Sequence, residues 1–432
     1  MSVENRAKKT TVAILNEVFD GYGETDFAVR LWDGTIWPAD SAASPAFTLT
    51  LNHAGALRQM LLPPSELSLG EAYVYGDFDV EGDLIAAFPL VSHFEALDLG
   101  LSDKLGLAWK LRSLPNERSP RGERQAAEVG GRTHSRARDR QAVSYHYDVS
   151  NDFYALWLDE RMVYSCGYFA DSGEDIHTAQ KRKLDYICRK LRLQPGEKLL
   201  DIGCGWGGLV IHAAKHYGAE ALGITLSEPQ VALAQKRIEE AGLEERCQVV
   251  CEDYRDVEPC DEPFDKLVSV GMFEHVGEEK MRTYFEKAWD ILRPEGLFLN
   301  HAIARPGWEP KVEDPDTFSN RYVFPDGELT PISHSLRIAE DVRFEVRDVE
   351  SLREHYALTL RRWVRRLEER HDEALKHVDE ATYRIWRLFM SGSAHGFESG
   401  RLNIYQALLA KPGSEGESGL PLTRADLYDD RA

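Results

Sequence analysis

Apolar residues follow two rhythms along this chain. From residue 198 onward, short apolar runs alternate with amphipathic stretches of helical period. "KLLDIG", "AEALGITL", "CQVVCEDY", "FDKLVSVGMF" and "GLFLNHAIA" read as strands. "GLVIHAAKHYG", "EPQVALAQKRIEEAGL" and "EEKMRTYFEKAWDIL" read as the helices between them. Repeated βαβ spacing of this kind predicts a parallel, doubly wound α/β sheet with ligands at the carboxyl ends of its strands. Further on, "HYALTLRRWVRRLEER" and "ATYRIWRLFMSGSAHGFESG" are apolar along one side and predict flanking helices. Near the start, "FAVRLWDGTIWPAD" and "AFTLTLNHAGALRQML" alternate with period two around a D-G turn, which predicts short strands in a smaller α/β domain. The expected division is an N-terminal domain over 1–100, a linker over 101–140, the large sheet domain over 141–415 and a polar, fraying tail over 416–432.

Charge changes this picture in one segment. The chain of 432 residues carries a formal net charge of −21, which argues against general nucleic-acid binding and against whole-molecule attraction to anionic lipid. Between Lys104 and Arg140, however, ten Lys or Arg face four acids. Pro115, Pro120, Gly122, Gly130 and Gly131 interrupt the segment, so it reads as a mobile basic linker, with lipid-headgroup contact as the sharper alternative. The six cysteines, Cys260 among them, form no C-x-x-C pair, and the start "MSVENRAKKTTVAILNEVF" has no secretory apolar region. Reduced thiols in a cytoplasmic protein, at most peripheral on a membrane, are the expectation.

The stretch "LLDIGCGWGGL" carries candidate chemistry. Gly203, Gly205 and Gly208 fit the dinucleotide pattern G-x-G-x-x-G, while Asp201, Gly203, Gly205 and Gly207 fit the D-x-G-x-G-x-G loop that holds S-adenosylmethionine. Glu228 lies 20 residues beyond Gly208, so spacing alone leaves the nicotinamide reading open. Two features favour S-adenosylmethionine: Asp201, placed to sit near the donor's ammonium, and Asp253 with Tyr254 in "CEDY", an acid and an aromatic suited to adenine.

Five separated motifs, "VSYHYDVSNDFYALWLDERMVYSCGYF", "LLDIGCGWGGL", "GITLSEPQ", "VSVGMFEHVG" and "FMSGSAHGFESGRLNIYQ", occur in an order that resembles the cyclopropane-fatty-acyl-phospholipid synthases and mycolic acid cyclopropane synthases. The resemblance implies a Rossmann-like class I methyltransferase sheet. It further implies a bicarbonate ion held by Cys166, Glu274, His301, Tyr356 and the backbone of Ile303. Tyr147, Tyr164 and Ser165 would cover the methionine end of the donor, and Thr225, Leu226 and Gln230 would line its ribose side. Ser227 and Gln230 also fit an S-x-x-Q capping box. No metal site is read, because Glu274, His301 and the thiol are far apart in sequence and His275 is expected to point away.

The implied activity is cyclopropanation of a cis double bond in unsaturated phospholipid acyl chains. Such an alkene is a poor nucleophile, and ring closure needs a base in a site that excludes water. Methyl transfer to give a methyl or methylene branch is the nearest alternative, and a non-catalytic lipid carrier is the alternative from another class. A peripheral membrane contact and a homodimer are implied partners. Phe153, Tyr154 and Trp157 are candidates for an acyl tunnel, and Arg361, Arg362, Arg365 and Arg366 for a basic face toward lipid.

Overall fold

The computed structural model describes residues 3–23, 26–38, 45–96, 100–121, 126–127, 129–147, 149–259, 262–309 and 316–428. Cys260, and Gly122, Glu123, Arg124 and Glu128 of the basic segment, lie outside the described residues. The chain forms two compact units. One comprises Met1–Ala126, Asp314–Val323 and Val378–His395; the other comprises Ala127–Glu313, Phe324–His377 and Gly396–Ala432.

In the first unit, β1 (Phe27–Arg30), β2 (Ile36–Trp37), β3 (Phe47–Leu51) and β4 (Phe78–Gly82) form a sheet of order β2-β1-β3-β4. The D-G turn joins β1 to β2, where Asp33 accepts from the backbone N–H of Thr35 at 3.0 Å. Alternate residues of β3 are buried, as its period-two pattern requires. Two chain segments distant in sequence return to this unit. Tyr322 donates to Glu71 at 2.8 Å, and Arg384 and Arg387 reach Asp79 and the Tyr73 hydroxyl at 2.8 and 2.7 Å. Continuity along the chain therefore overstates the extent of the second domain, expected as an unbroken 141–415.

The basic segment also differs from the expected linker. Leu101–Ser113 and Arg136–Tyr147 are helices. Pro115 and the Gly130–Gly131 pair fall between them and delimit the helices, and the buried Leu111 and Leu114 hold the first in place.

The second unit contains β5 (Lys198–Ile202), β6 (Glu220–Thr225), β7 (Cys247–Cys251), β8 (Phe264–Val270), β9 (Leu292–Ala304), β10 (Glu345–Ser351) and β11 (Asn403–Ala410). They make one seven-stranded sheet of order β10-β11-β9-β8-β5-β6-β7. Strands β5 to β9 are parallel, as the βαβ spacing predicts, and β11 runs antiparallel to both β9 and β10. Adjacent residues of a strand enter opposite cores: Leu200 packs toward helix Met281–Ile291, whereas Leu199 packs toward helix Ile176–Lys190. This is a class I methyltransferase sheet accompanied by a smaller N-terminal α/β domain.

The strand order reverses between β5 and β8, which opens a crevice at their carboxyl ends. The tail expected to fray is pinned as far as residue 428. Leu427 is buried, Arg192 meets Asp426 at 3.1 Å, and Arg424 meets Asp348 at 2.5 Å. Among the described residues no helix is long and apolar enough to cross a membrane.

Candidate active site

The crevice is a cavity walled by the loops after β5, β6, β7 and β8. Of the residues expected to bind the donor, Tyr147, Tyr164, Ser165, Asp201, Gly203, Gly205, Thr225, Leu226, Gln230, Asp253 and Tyr254 line it. Gly207 does not; it caps helix Gly208–Tyr217 in the left-handed region at φ +77°. The other two loop glycines differ in kind. A Cβ on Gly203, at φ +84°, would stand 2.6 Å from Cβ of Met272, so the protein itself demands glycine there. Gly205, at φ +54°, has no protein atom within 4 Å of a would-be Cβ, which leaves its face open to a ligand.

Asp201, the penultimate residue of β5, has its side chain buried and Oδ1 unpartnered. Burial pushes its carboxyl up to about 7. Beyond β6, the Thr225 hydroxyl donates to Oε1 of the buried Gln230 at 2.7 Å, and the Ser227 side chain forms no N-cap bond. The S-x-x-Q capping box is therefore not formed, because Gln230 is turned into the cavity wall. Asp253 is held differently from the expectation of a free adenine acceptor. Burial works against its charge, but Arg255 donates from Nε at 2.8 Å and from Nη2 at 2.5 Å and leaves the carboxyl below its ordinary range.

The wall toward residues 162–166 is built from a helix that sequence reasoning passed over. Gln180 donates to the Ser165 carbonyl at 2.7 Å, and Lys183 donates to the Ser165 hydroxyl at 2.8 Å. Both side chains are fully buried, and Lys183 lines the cavity. A signal was present: Gln180 and Lys183 fall on the same stripe as Leu184, Ile187 and Leu191, where an amphipathic helix places apolar residues. His275, expected to point away, also lines the cavity, and burial lowers its imidazole to about 4.

Cys166, Glu274, His301, Ile303 and Tyr356 stand apart from this list of cavity-lining residues. Glu274 accepts from the Ile303 N–H through Oε1 at 2.7 Å, while Oε2 is buried without a partner. Burial raises its carboxyl to about 7, against the opposing pull of that hydrogen bond. His301 is fully buried and held well below the ordinary imidazole range by burial. The Gln406 side-chain amide faces its Nδ1 at 3.3 Å, and its Nε2 is unpartnered. Cys166 is unexposed, with Sγ 3.2 Å from the Gly167 carbonyl, and burial raises its thiol. Burial, and then the neighbouring Cys166, Glu274 and Tyr147, keep the Tyr356 hydroxyl protonated. Tyr147 thus belongs to both groups: it lines the cavity and feels the charge of Glu274.

Residues 134–407 match the family model described as mycolic acid cyclopropane synthetase. The chain belongs to that family. Residues 14–91 match a separate domain of unknown function. A probable fatty acid methyltransferase of Pseudomonas putida is 42% identical over 402 residues, covering 93% of this chain and 95% of the relative. The cyclopropane-fatty-acyl-phospholipid synthase of Escherichia coli is 36% identical over 279 residues, covering 65% of this chain and 69% of the relative. Among solved structures, the mycolic acid cyclopropane synthase CmaA1 complexed with SAH and CTAB aligns with a TM-score of 0.59 at 31% identity, covering 62% of this chain and 97% of that one. The likeness to this structure covers the sheet of the second unit.

Side-chain packing bears on two further expectations. Phe153, Tyr154 and Trp157 have no exposed surface, and none lines the cavity. Their rings pack on one another and on Trp206 and Trp363, with centroids 4.8 Å (Tyr154–Trp206) and 5.5 Å (Trp157–Trp363) apart, as core aromatics do. The arginine cluster is largely committed within the protein. Arg361 pairs with Glu398, Arg362 donates to the carbonyls of Ser172 and Glu174, and Arg366 donates to the Leu158 carbonyl at 2.9 Å. Arg365 pairs with Glu369 on an exposed face.

Proposed function

We propose that this protein transfers a one-carbon unit from S-adenosylmethionine to the cis double bond of unsaturated phospholipid acyl chains and closes a cyclopropane ring. The observation that carries the reading is the set of buried polar groups, low in charge below neutral pH, two of which adjoin cavity-lining residues in sequence. Ser165 and His275 line the cavity, and their sequence neighbours Cys166 and Glu274 belong to that set. An alkene attacks a sulfonium methyl slowly and leaves a cation that water would trap, so the reaction needs a dry site with a base.

Bicarbonate, when bound, supplies that base, and Cys166, Glu274, His301, Tyr356 and the Ile303 backbone are the groups that would hold it. They suit an anion best below neutral pH, where none of them repels it. Below about 7 Glu274 mostly holds its proton, His301 is neutral, and Tyr356 keeps its hydroxyl proton. Glu274 Oε2 and His301 Nε2 are the buried atoms left without partners for such a guest. The Ile303 N–H is engaged by Glu274, so it fixes the carboxyl's position.

Access to lipid fits the helix Leu101–Ser113. Leu105 and Trp109, one turn apart, are 72% and 68% exposed, with the exposed Lys104 and Arg112 beside them. An apolar and aromatic face with basic flanks suits a phospholipid surface. The protein would thus be a peripheral membrane enzyme despite its overall acidity.

The test is incubation with unsaturated phospholipid vesicles and methyl-labelled S-adenosylmethionine, followed by mass spectrometry of the acyl chains. A gain of one CH2 that resists mild hydrogenation is the expected result. A labelled product that still hydrogenates would favour a methylene branch, the second reading suggested by the fatty acid methyltransferase name of the Pseudomonas putida relative. Absence of label in the lipid would favour the carrier.

A further inference from the structure

Helix Ile176–Lys190 carries two lysines as buried as core leucines: Lys183 is 1% exposed and Lys190 0%. Removing an ammonium from water is unfavourable unless anions surround it. Lys190 has them, with Glu350 at 2.5 Å and Asp348 at 3.4 Å. Lys183 does not. Its hydrogen bond goes to the neutral hydroxyl of Ser165, and no described carboxylate lies within ion-pair distance of it. An ammonium has three N–H donors, so two remain for another acceptor. A hydroxyl alone needs no cation to hold it, and Gln180 already fixes the Ser165 backbone.

Lys183 and Asp201 line the same cavity. Each is buried and makes no ion pair with a described residue, although each favours the other's charge from beyond ion-pair distance. One unsatisfied cation and one unsatisfied anion in a single cavity complement a zwitterion, such as the amino-acid end of an adenosyl sulfonium donor. We propose that Lys183 binds the α-carboxylate of S-adenosylmethionine. The inference rests on the reading that this cavity takes that donor, and it adds a residue that the sequence motifs did not name. Burial lowers the Lys183 ammonium to about 8, so it still carries its proton at neutral pH.

The test compares two ligands by calorimetry on the full chain: S-adenosylhomocysteine, which has the amino-acid end, and 5′-methylthioadenosine, which lacks it. Lys183→Met keeps the unbranched apolar stem of the side chain and removes its ammonium. It should weaken S-adenosylhomocysteine about 30-fold, the size expected for a hydrogen-bonded charge, and leave methylthioadenosine within about twofold. Equal weakening of both ligands would mean that Lys183 only shapes the wall, and an unchanged affinity for S-adenosylhomocysteine would mean that it makes no contact; either overturns the proposal. A second comparison needs no variant. On the wild-type protein, decarboxylated S-adenosylhomocysteine should bind about 30-fold more weakly than the parent, and equal binding would overturn the proposal. Failure of the wild type to bind S-adenosylhomocysteine at all would overturn the donor reading itself, and this inference with it.

Discussion

The cofactor cavity and the cluster behind it solve opposite electrostatic problems. The cavity holds an ammonium, Lys183, and a carboxyl, Asp201, that is half ionised near pH 7, and neither forms an ion pair with a described residue. Glu274, His301 and Tyr356 are buried groups whose neutral forms burial favours, with no cation paired to any of them among the described residues. The first arrangement binds by complementary charge. The second makes a place where proton transfer and exclusion of water matter more than affinity. Binding and turnover should therefore respond separately to substitution.

The largest effect is expected in the cluster. Glu274→Gln should cut label transfer to lipid by about 100-fold or more, the usual scale for losing acid–base machinery, and steady-state assays with labelled donor would measure it. In the cavity, Gly203→Ala should weaken donor binding about tenfold or more. Its Cβ would collide with Met272, and a left-handed alanine itself costs about 1–2 kcal/mol. Titration calorimetry together with thermal melts would separate the two losses.

The pH response divides the regions more finely. A sulfonium or ammonium favours the ionised form of Asp201, whose carboxyl sits at about 7. Donor affinity should therefore rise with pH up to about 7, with proton release on binding, and fall again above about 8, where Lys183 loses its proton; Asp201→Asn should abolish the rise. Calorimetry in buffers of different ionisation enthalpy would detect it. Stability runs the other way. Between the ordinary carboxylate range and about 7, the folded protein holds protons on Asp201 and Glu274 that the unfolded chain releases, so their contribution to stability declines as pH rises. The ligand-free Asp201→Asn and Glu274→Gln proteins should melt a few degrees above wild type at pH 8 and show less gain at pH 5, on the scale of about 2–4 °C per kcal/mol. The smallest effect is expected at the proposed lipid-facing helix. Replacing Leu105 and Trp109 by Ser should lower co-sedimentation with anionic vesicles several-fold, and leave donor binding unchanged.

The two regions also differ in how far the sequence reveals them. The glycine loop is contiguous, and each of its positions answers a local backbone need, so strand, turn and helix could be read together. The cluster is assembled from β9, the loop after β8, the strap at residue 166 and the helix beginning at Arg353; only the resemblance joined those residues into one set. Lys183 went unnoticed because a lysine on a helix reads as solvated until its stripe is seen to be apolar. β10 went unread because "EVRDVES" is charged and half-exposed at a sheet edge. β11 went unread for another reason. Its chain returns after a helix that belongs mostly to the first unit, so no βαβ rhythm announces an antiparallel strand.

The separation of binding from turnover is tested most directly by two readouts on the single variant Glu274→Gln: affinity for S-adenosylhomocysteine and transfer of labelled methyl carbon to phospholipid. The account predicts affinity within about threefold of wild type, less than one hydrogen bond's worth, with transfer nearly abolished. Intact transfer, or loss of transfer only in step with loss of binding, would contradict it.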